Sequence, residues 1–251
     1  MNKPQSNGIP KSTQDAHGPQ AAKVGTATES TAQPAMKDVR SNGAMSSFEI
    51  FNCCIERAKN LLKMHEAAHG KKAKPEKYLA DAHRAAIVLA ISALDAFIRA
   101  FVITRVRSLL GDKTMILPPP LVEKIKAFLK DDVLLEAARK DDLLDRVEKA
   151  FRNDFEKQSF QGTRQITESL KLVGYSDIFH QVAISAEENE DTLRGRLDRF
   201  TQRRHAIAHR GDYDLSVNPP EEQSITKKDA QECIKMVILI ATHINKLESQ
   251  P

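Results

Sequence analysis

The residues best suited to chemistry lie in one short stretch near the end of the chain, residues 191–212, DTLRGRLDRFTQRRHAIAHRGD. The stretch contains six arginines, no lysine and two histidines, His205 and His209. Arginine presents a planar fork of donors that binds phosphate oxygens in pairs. An imidazole, with an unperturbed pKa of about 6.5, transfers protons readily at neutral pH. The combination indicates either chemistry at a phosphate group or, more simply, a solvated basic helix face.

Arg204 differs from the other arginines in its position on the predicted helix. At about 100° per residue, four apolar residues share one narrow stripe, and Arg204 falls in the middle of it. These residues are Leu193, Leu197, Phe200 and Ile207. A guanidinium among core residues breaks the binary pattern, as functional residues often do. The position is equally compatible with an arginine that lays its stem on apolar surface and reaches water with its charged end.

His209 follows Arg204 by five residues, so the two side chains point about 140° apart around one helix. Within a single chain they cannot easily converge on one atom. In a two-fold dimer, each helix can offer its histidine to a site that is shared with the other subunit. The spacing therefore leads to the hypothesis that dimerisation is part of the mechanism.

His205 and His209 also have the i, i+4 spacing with which one helix face can bind zinc. A third ligand is then required, and Asp212 is the nearest candidate. The glutamate of the H-E-x-x-H motif is missing, so a helical metal-binding protein is kept as an alternative only. The sequence also lacks the patterns G-x-x-x-x-G-K-[ST], G-x-G-x-x-G and G-x-S-x-G, which would indicate other phosphate-binding or nucleophilic sites.

The elements that must position these residues are predicted to be helices. Apolar residues recur at helical spacing from Ser46 onward, and no strand alternation persists. The pattern predicts an all-α fold, a helical bundle in which the other helices pack around one long central helix. Ser47 is the expected N-cap of the first helix, and Thr226 with Asp229 forms a capping box for the last. The predicted helices are residues 47–70, 76–110, two helices within 121–156, then 165–173, 177–183, 190–210 and 226–247.

Composition divides the chain into a tail and a domain. Residues 1–45 are rich in Ser, Thr, Gln, Asn, Gly, Pro and Ala and contain few large apolar residues, which predicts a disordered tail. Residues 46–251 are predicted to form one helical domain. The formal net charge is +4, which permits an anionic partner without requiring one.

Residues 85–103 are apolar enough to raise the question of a membrane span. They include Ser92, Asp95 and Arg99, and ionised groups are costly at membrane depth. We therefore expect a buried core helix and no membrane association. The three cysteines form neither a disulfide framework nor a zinc-binding pattern, and residues 1–45 contain no secretory signal. Both observations favour reduced thiols and a cytoplasmic location.

Several parts of the sequence resemble one known family. Residues 204–209, RHAIAH, are similar to the R-x4-6-H motif of the HEPN superfamily, with His205 where active members most often have Asn. Residues 89–101, LAISALDAFIRAF, are similar to the core helix of that superfamily. Residues 159–174, SFQGTRQITESLKLVG, and the closing helix after residues 210–212 resemble the RiboL-PSP-HEPN branch in particular. The resemblance extends over residues 47–248.

The resemblance implies a helical bundle, a homodimer, and cleavage of RNA without a metal or other cofactor. It implies catalytic roles for Arg204, His205 and His209, with Arg204 on the scissile phosphate and His209 transferring protons. Ser92 and Asp95 would then support them from the core helix. The sequence also leaves an alternative role for Asp95, whose carboxylate has the i, i+4 spacing for an ion pair with Arg99 along the core helix.

Three further arginines, Arg199, Arg203 and Arg210, are expected to bind the RNA substrate. Relatives often act as toxins or in defence against phage, so the resemblance also implies such a role, with an antitoxin or defence protein as a possible partner. The alternative within the same family is a non-catalytic module that binds a nucleotide or another protein.

Overall fold

The structure of the protein is a computed structural model, and it describes residues 45–69 and 77–247. The helices, in chain order, are α1 Ser47–His69, α2 Lys77–Gly111, α3 Pro119–Phe128, α4 Asp131–Lys140, α5 Leu143–Phe155, α6 Thr163–Leu172, α7 Ile178–Ser185, α8 Glu190–Arg210 and α9 Lys227–Leu247. Two short strands, β1 Tyr213–Asp214 and β2 Glu221–Glu222, pair antiparallel between α8 and α9. The prediction of an all-α bundle is confirmed. The predicted disordered tail, residues 1–45, lies outside the described residues except for Met45.

The long central helix of the prediction is α2, which contacts α1, α5, α6, α8 and α9. Its apolar residues point to several sides, so it can be covered by other helices around most of its circumference. The rings of Phe51 on α1 and of Phe97 and Phe101 on α2 pack together with centroids 5.6 and 5.9 Å apart. All three side chains are fully or almost fully buried, and they lie at the centre of the continuous core.

By length and composition alone, α2 could cross a membrane. In the fold, however, 61% of its most apolar window is buried inside the protein. The charged residues Asp95 and Arg99 are compatible with a core helix because they form an ion pair with each other, with 3.1 Å between the carboxylate and the guanidinium. The helix is therefore mostly a core helix, as the sequence indicated.

Two details of the helix predictions are wrong. Residues 121–156 form three helices and not two, because Asp141 adopts a left-handed backbone conformation (φ 54°) and ends α4. The first helix is capped by Ser46 and not by Ser47. The Ser46 hydroxyl accepts a hydrogen bond from the Glu49 amide (3.2 Å), and the Glu49 carboxylate accepts one from the Ser46 amide (2.7 Å).

The predicted capping box of the last helix is confirmed. The Thr226 amide donates to the Asp229 carboxylate at 2.8 Å, and the Asp229 amide donates to the Thr226 hydroxyl at 3.2 Å. This box fixes the beginning of α9, and α9 packs along α2 and α8. The loop before it, residues 211–225, consequently has a defined path from the end of α8 back to the core.

Candidate functional site

The candidate site is built on α8, which has clear signals at both ends. The side chain of Asn189 caps its N-terminus by accepting a hydrogen bond from the Thr192 amide at 3.1 Å. The helix ends at Gly211, whose φ of +60° belongs to the left-handed region that glycine adopts without strain. His209 and Arg210 occupy the last turn, where positive charge interacts favourably with the helix dipole.

The segment before α6 anchors the middle of α8. The Asp198 carboxylate accepts hydrogen bonds from the amide (3.0 Å) and the hydroxyl (2.8 Å) of Thr163. The Thr201 hydroxyl donates to the carbonyl oxygen of Gln161 at 2.8 Å. These bonds involve residues 159–174, one of the stretches that carried the family resemblance. Its structural contribution is thus to hold α8 in a fixed rotation against the bundle.

The apolar stripe of α8 packs into the core as the periodicity predicted. Leu193, Leu197 and Phe200 are buried, and Ile207 packs partly against the core. Arg204 lies partly buried among them. Its Nε is buried without a hydrogen-bond partner, and within the described residues its guanidinium forms no ion pair. Arg204 is therefore a partly desolvated cation that has no acceptor within residues 45–69 and 77–247.

The other arginines of the stretch differ in this respect, because four of them are bonded to carboxylates. The pairs are Arg194–Glu190 at 2.7 Å, Arg196–Glu188 at 2.6 Å, Arg199–Glu232 at 2.9 Å and Arg203–Asp212 at 2.7 Å. Arg210 is exposed, and like Arg204 it has no bonded carboxylate among the described residues. Two of the six guanidinium groups are thus available to an external anion without breaking an ion pair.

His205 and His209 lie on the exposed side of the last turns of α8. Their rings are stacked, with centroids 5.8 Å apart and an interplanar angle of 17°. Partial desolvation of the ring lowers the pKa of His205 below its ordinary value although the side chain is exposed, and the charges of Arg204 and His209 lower it further. At neutral pH the His205 ring is therefore neutral, with one nitrogen that donates and one that accepts.

The lowered pKa of His205 predicts a pH dependence of stability. The unfolded chain binds a proton at His205 near its ordinary pKa of about 6.5, before the folded protein does, so stability falls as the pH drops through that value. We expect the melting temperature of the His205→Asn variant to fall less than that of the wild type between neutral and mildly acidic pH. Thermal unfolding followed by circular dichroism at several pH values measures this difference. Parallel curves for the two proteins would contradict it.

A buried ionic cluster, the Arg84–Asp212–Arg203 clamp, holds the end of α8. Asp212 is 0% exposed, and one of its oxygens accepts from Nε of Arg84 and from a terminal nitrogen of Arg203, each at 2.7 Å. Both guanidiniums also donate to the carbonyl of Gln223, at 2.9 and 3.1 Å. Burial acts to lower the pKa of Arg84, but the bonded carboxylates, Asp212 foremost, raise it above its usual value.

The clamp holds the residue that directly follows the C-cap of α8. Asp212 has a left-handed backbone (φ 68°), and its amide donates to the Ala206 carbonyl at 3.0 Å. Asp212 is also the third ligand that the metal alternative requires beside His205 and His209, and its carboxylate is bonded to Arg84 and Arg203 instead. Across the part of the chain that the structure describes, no group of three or more His, Cys, Asp or Glu side chains is placed to hold a metal ion.

The remaining predicted site residues lie elsewhere. The carboxylate of Asp95 is bonded to Arg99 and to the backbone amide of Phe160, so it is engaged in the alternative arrangement that the sequence left open. Ser92 is partly buried on the same helix. Within this one chain, neither residue is bonded to Arg204 or His209.

Sequence reasoning missed Arg84 and the backbone carbonyls of Gln223 and Ser224, which bind Arg203. One signal was available: Arg84 is a charged residue next to His83 in a helix that is otherwise strongly apolar. A buried position for such a residue requires an opposite charge. The chain offers many carboxylates, however, and the pattern alone does not select Asp212.

Comparison with known proteins gives one match. The family model described as RiboL-PSP-HEPN matches residues 53–247, which includes all of α2 through α9. No curated protein and no solved structure matches the chain.

Proposed function

Because the chain belongs to the RiboL-PSP-HEPN family, we propose that it is a metal-independent endoribonuclease whose active site is shared between two copies of the chain. HEPN modules are often nucleases, which makes RNA the first substrate to consider. The observation that carries the proposal is Arg204, a partly desolvated guanidinium without an acceptor among the described residues, next to His205 and five residues before His209, whose imidazoles are both exposed. A scissile phosphate supplies the missing acceptor.

The chemistry that these groups fit is internal transfer at the phosphodiester. The 2′-hydroxyl of RNA attacks the adjacent phosphorus, and one imidazole of His209 takes its proton. The bond from phosphorus to the 5′-oxygen of the next nucleotide breaks, and a second imidazole gives that oxygen a proton. Arg204 stabilises the negative charge that grows on the phosphate oxygens. The products are a 2′,3′-cyclic phosphate and a free 5′-hydroxyl.

Two histidines in these opposite roles are most simply provided by two subunits. Arg204 lies on the core side of α8 and His209 on the exposed side, so one chain presents them in different directions. A two-fold axis near the ends of two α8 helices brings both His209 rings to one phosphate. His205 is the third catalytic group in this proposal, and as a neutral imidazole it can donate to a phosphate oxygen.

The wider role is proposed from the family alone. RNA cleavage that stops growth suits a toxin or a defence effector against phage, acting in the cytoplasm, and such a protein needs an antitoxin or another defence protein to control it. The same family also allows a non-catalytic module that binds a nucleotide or a protein. An assay on purified protein with labelled RNA and excess EDTA separates the two. Cleavage to 2′,3′-cyclic products supports the enzyme, and intact RNA contradicts it.

Arg204 provides a sharper prediction. We expect Arg204→Lys to lower the cleavage rate by about 10²-fold and Arg204→Ala by at least as much, because an ammonium keeps the charge but not the paired donors. Arg164→Ala is the matched control, since Arg164 is an exposed arginine whose bonded partner among the described residues is Glu168 on its own helix. Single-turnover rates, with circular dichroism to confirm folding, measure the effect. Equal rates for the Arg204→Lys and Arg164→Ala variants would argue against the assignment.

A further inference from the structure

A cleft of about 430 Å³ lies beside α8, on a different side of the helix from His209. We call it the arginine cleft, because Arg199, Arg203 and Arg210 line it. These arginines are four and seven residues apart, which places them within about 40° of one another around the helix. Its apolar lining, which we call the apolar floor, consists of Ile87, Phe200, Ala206 and Ile225, and the lining also includes the polar residues Gln202, Gln223 and Ser224.

The three arginines are not equivalent. Arg203 is held in the clamp by Asp212 and Gln223, so it forms part of the wall. Arg199 is exposed, and only one of its terminal nitrogens is bonded, to Glu232. Arg210 is exposed and has no bonded carboxylate among the described residues. Arg199 and Arg210 therefore have donors that are free to bind an external anion.

Asp229 is the one carboxylate in the described lining of the cleft, and it belongs to the capping box of α9. One of its oxygens accepts from both the amide (2.8 Å) and the hydroxyl (2.6 Å) of Thr226. Burial acts to raise the pKa of Asp229, but those hydrogen bonds, and the charges of Arg199 and Arg203, hold it below its usual value. The carboxylate is thus ionised within the cap, and the neighbouring charges of Arg199 and Arg203 partly offset its repulsion of an anion.

The cleft also offers surfaces for a base. The Arg199 guanidinium lies 4.8 Å from the centroid of the Phe200 ring, so its plane is supported from below. Unpaired bases stack readily on supported guanidinium planes and on apolar floors. A volume of about 430 Å³ accommodates a base with its phosphate.

We propose that the arginine cleft binds the single-stranded part of the RNA next to the cleavage site, with neighbouring phosphates on Arg199 and Arg210 and a base on the apolar floor. This rests on the proposed function for the identity of the strand. Arg210 follows His209 directly, so the cleft begins where the proposed cleavage site ends. Arg199 lies about 16 Å further along the helix axis, a distance that spans more than one nucleotide.

The test measures binding without cleavage, in a His209→Ala background and with a short fluorescent single-stranded RNA. We expect Arg199→Gln/Arg210→Gln to weaken binding about tenfold and to reduce the slope of log K against log salt by about 0.7 for each lost phosphate contact. The control is Arg152→Gln/Arg164→Gln, which removes the same charge from two exposed arginines that are each bonded to a glutamate on their own helix.

Competition separates the sources of the ligand. If the cleft holds a strand, unlabelled RNA displaces the probe far better than a nucleoside monophosphate does. Equal binding by the cleft variant and the control variant, or equal competition by the monophosphate, would overturn the subsite. Cleavage is measured separately on chains with His209 intact. If the wild type binds RNA through the cleft but does not cleave it, the proposed function is wrong and the subsite stands. If the wild type cleaves RNA but the cleft substitutions do not change binding, the subsite is wrong and the proposed function stands.

Discussion

Replacing His209 with alanine is expected to reduce RNA cleavage by about 10² to 10⁴-fold while leaving the fold intact. His209 is exposed at the end of α8, so its loss opens no cavity in the core. The substitution removes both proton-transfer groups of the proposed chemistry, the imidazole that takes a proton and the imidazole of the other subunit that gives one. Single-turnover cleavage rates under excess EDTA measure the loss, and thermal unfolding of the same preparations shows whether stability is retained.

The control for this variant is His180→Ala. His180 is an exposed histidine on α7, and within the described residues it is paired with Glu190. It should cleave RNA at close to the wild-type rate, because it lies on another helix and has no role in the proposed chemistry. If His209→Ala cleaves as fast as His180→Ala, the imidazole at position 209 is not the proton-transfer group.

Removing the buried carboxylate of the clamp should have the largest effect on stability. We expect Asp212→Ala to lower the free energy of unfolding by about 3 kcal/mol, because it leaves the buried guanidinium of Arg84 without its closest counter-charge. Alanine also tolerates the left-handed backbone of this position poorly. Urea unfolding followed by circular dichroism measures the change.

Asp81 offers a matched comparison, because it binds the same guanidinium at 3.1 Å from an exposed position. Asp81→Ala should cost less than about 1 kcal/mol, since exposed ion pairs contribute little. Asp212→Asn keeps the shape and tolerates the backbone conformation, so it isolates the loss of charge. Equal destabilisation by Asp81→Ala and Asp212→Ala would mean that burial of the carboxylate has no special importance in the clamp.

Those parts of the fold that depend on local signals were predictable from the sequence. The end of α8 at Gly211 and the capping box of α9 follow from residues within one turn of each helix end. The break at Asp141 was not predictable in the same way. A left-handed aspartate has no strong local signature here, because Asp141 lies in a run of polar residues, any of which could end a helix.

For the candidate site, helical periodicity placed Arg204 on the core stripe and separated it from His209. It did not reveal the clamp, because Arg84 and Asp212 are 128 residues apart in the chain and a single sequence contains no information on that distance. For the same reason, the sequence, which predicts that Arg203 binds the substrate, does not show that its donors are bonded to Asp212, Gln223 and Ser224. A site shared between two copies is likewise not visible in one chain.

Subunit dilution tests most directly whether one RNA-cleaving site needs groups from two subunits. Wild-type chains are mixed with increasing proportions of the Arg204→Ala/His209→Ala double variant at constant total chain concentration, and the subunits are allowed to re-equilibrate. Cleavage is then measured in the presence of EDTA. If each site draws on both subunits, mixed dimers are inactive, and an equal mixture retains about one quarter of the undiluted activity. Retention of about one half, as independent sites within single chains require, or no cleavage by undiluted wild type, would contradict the account.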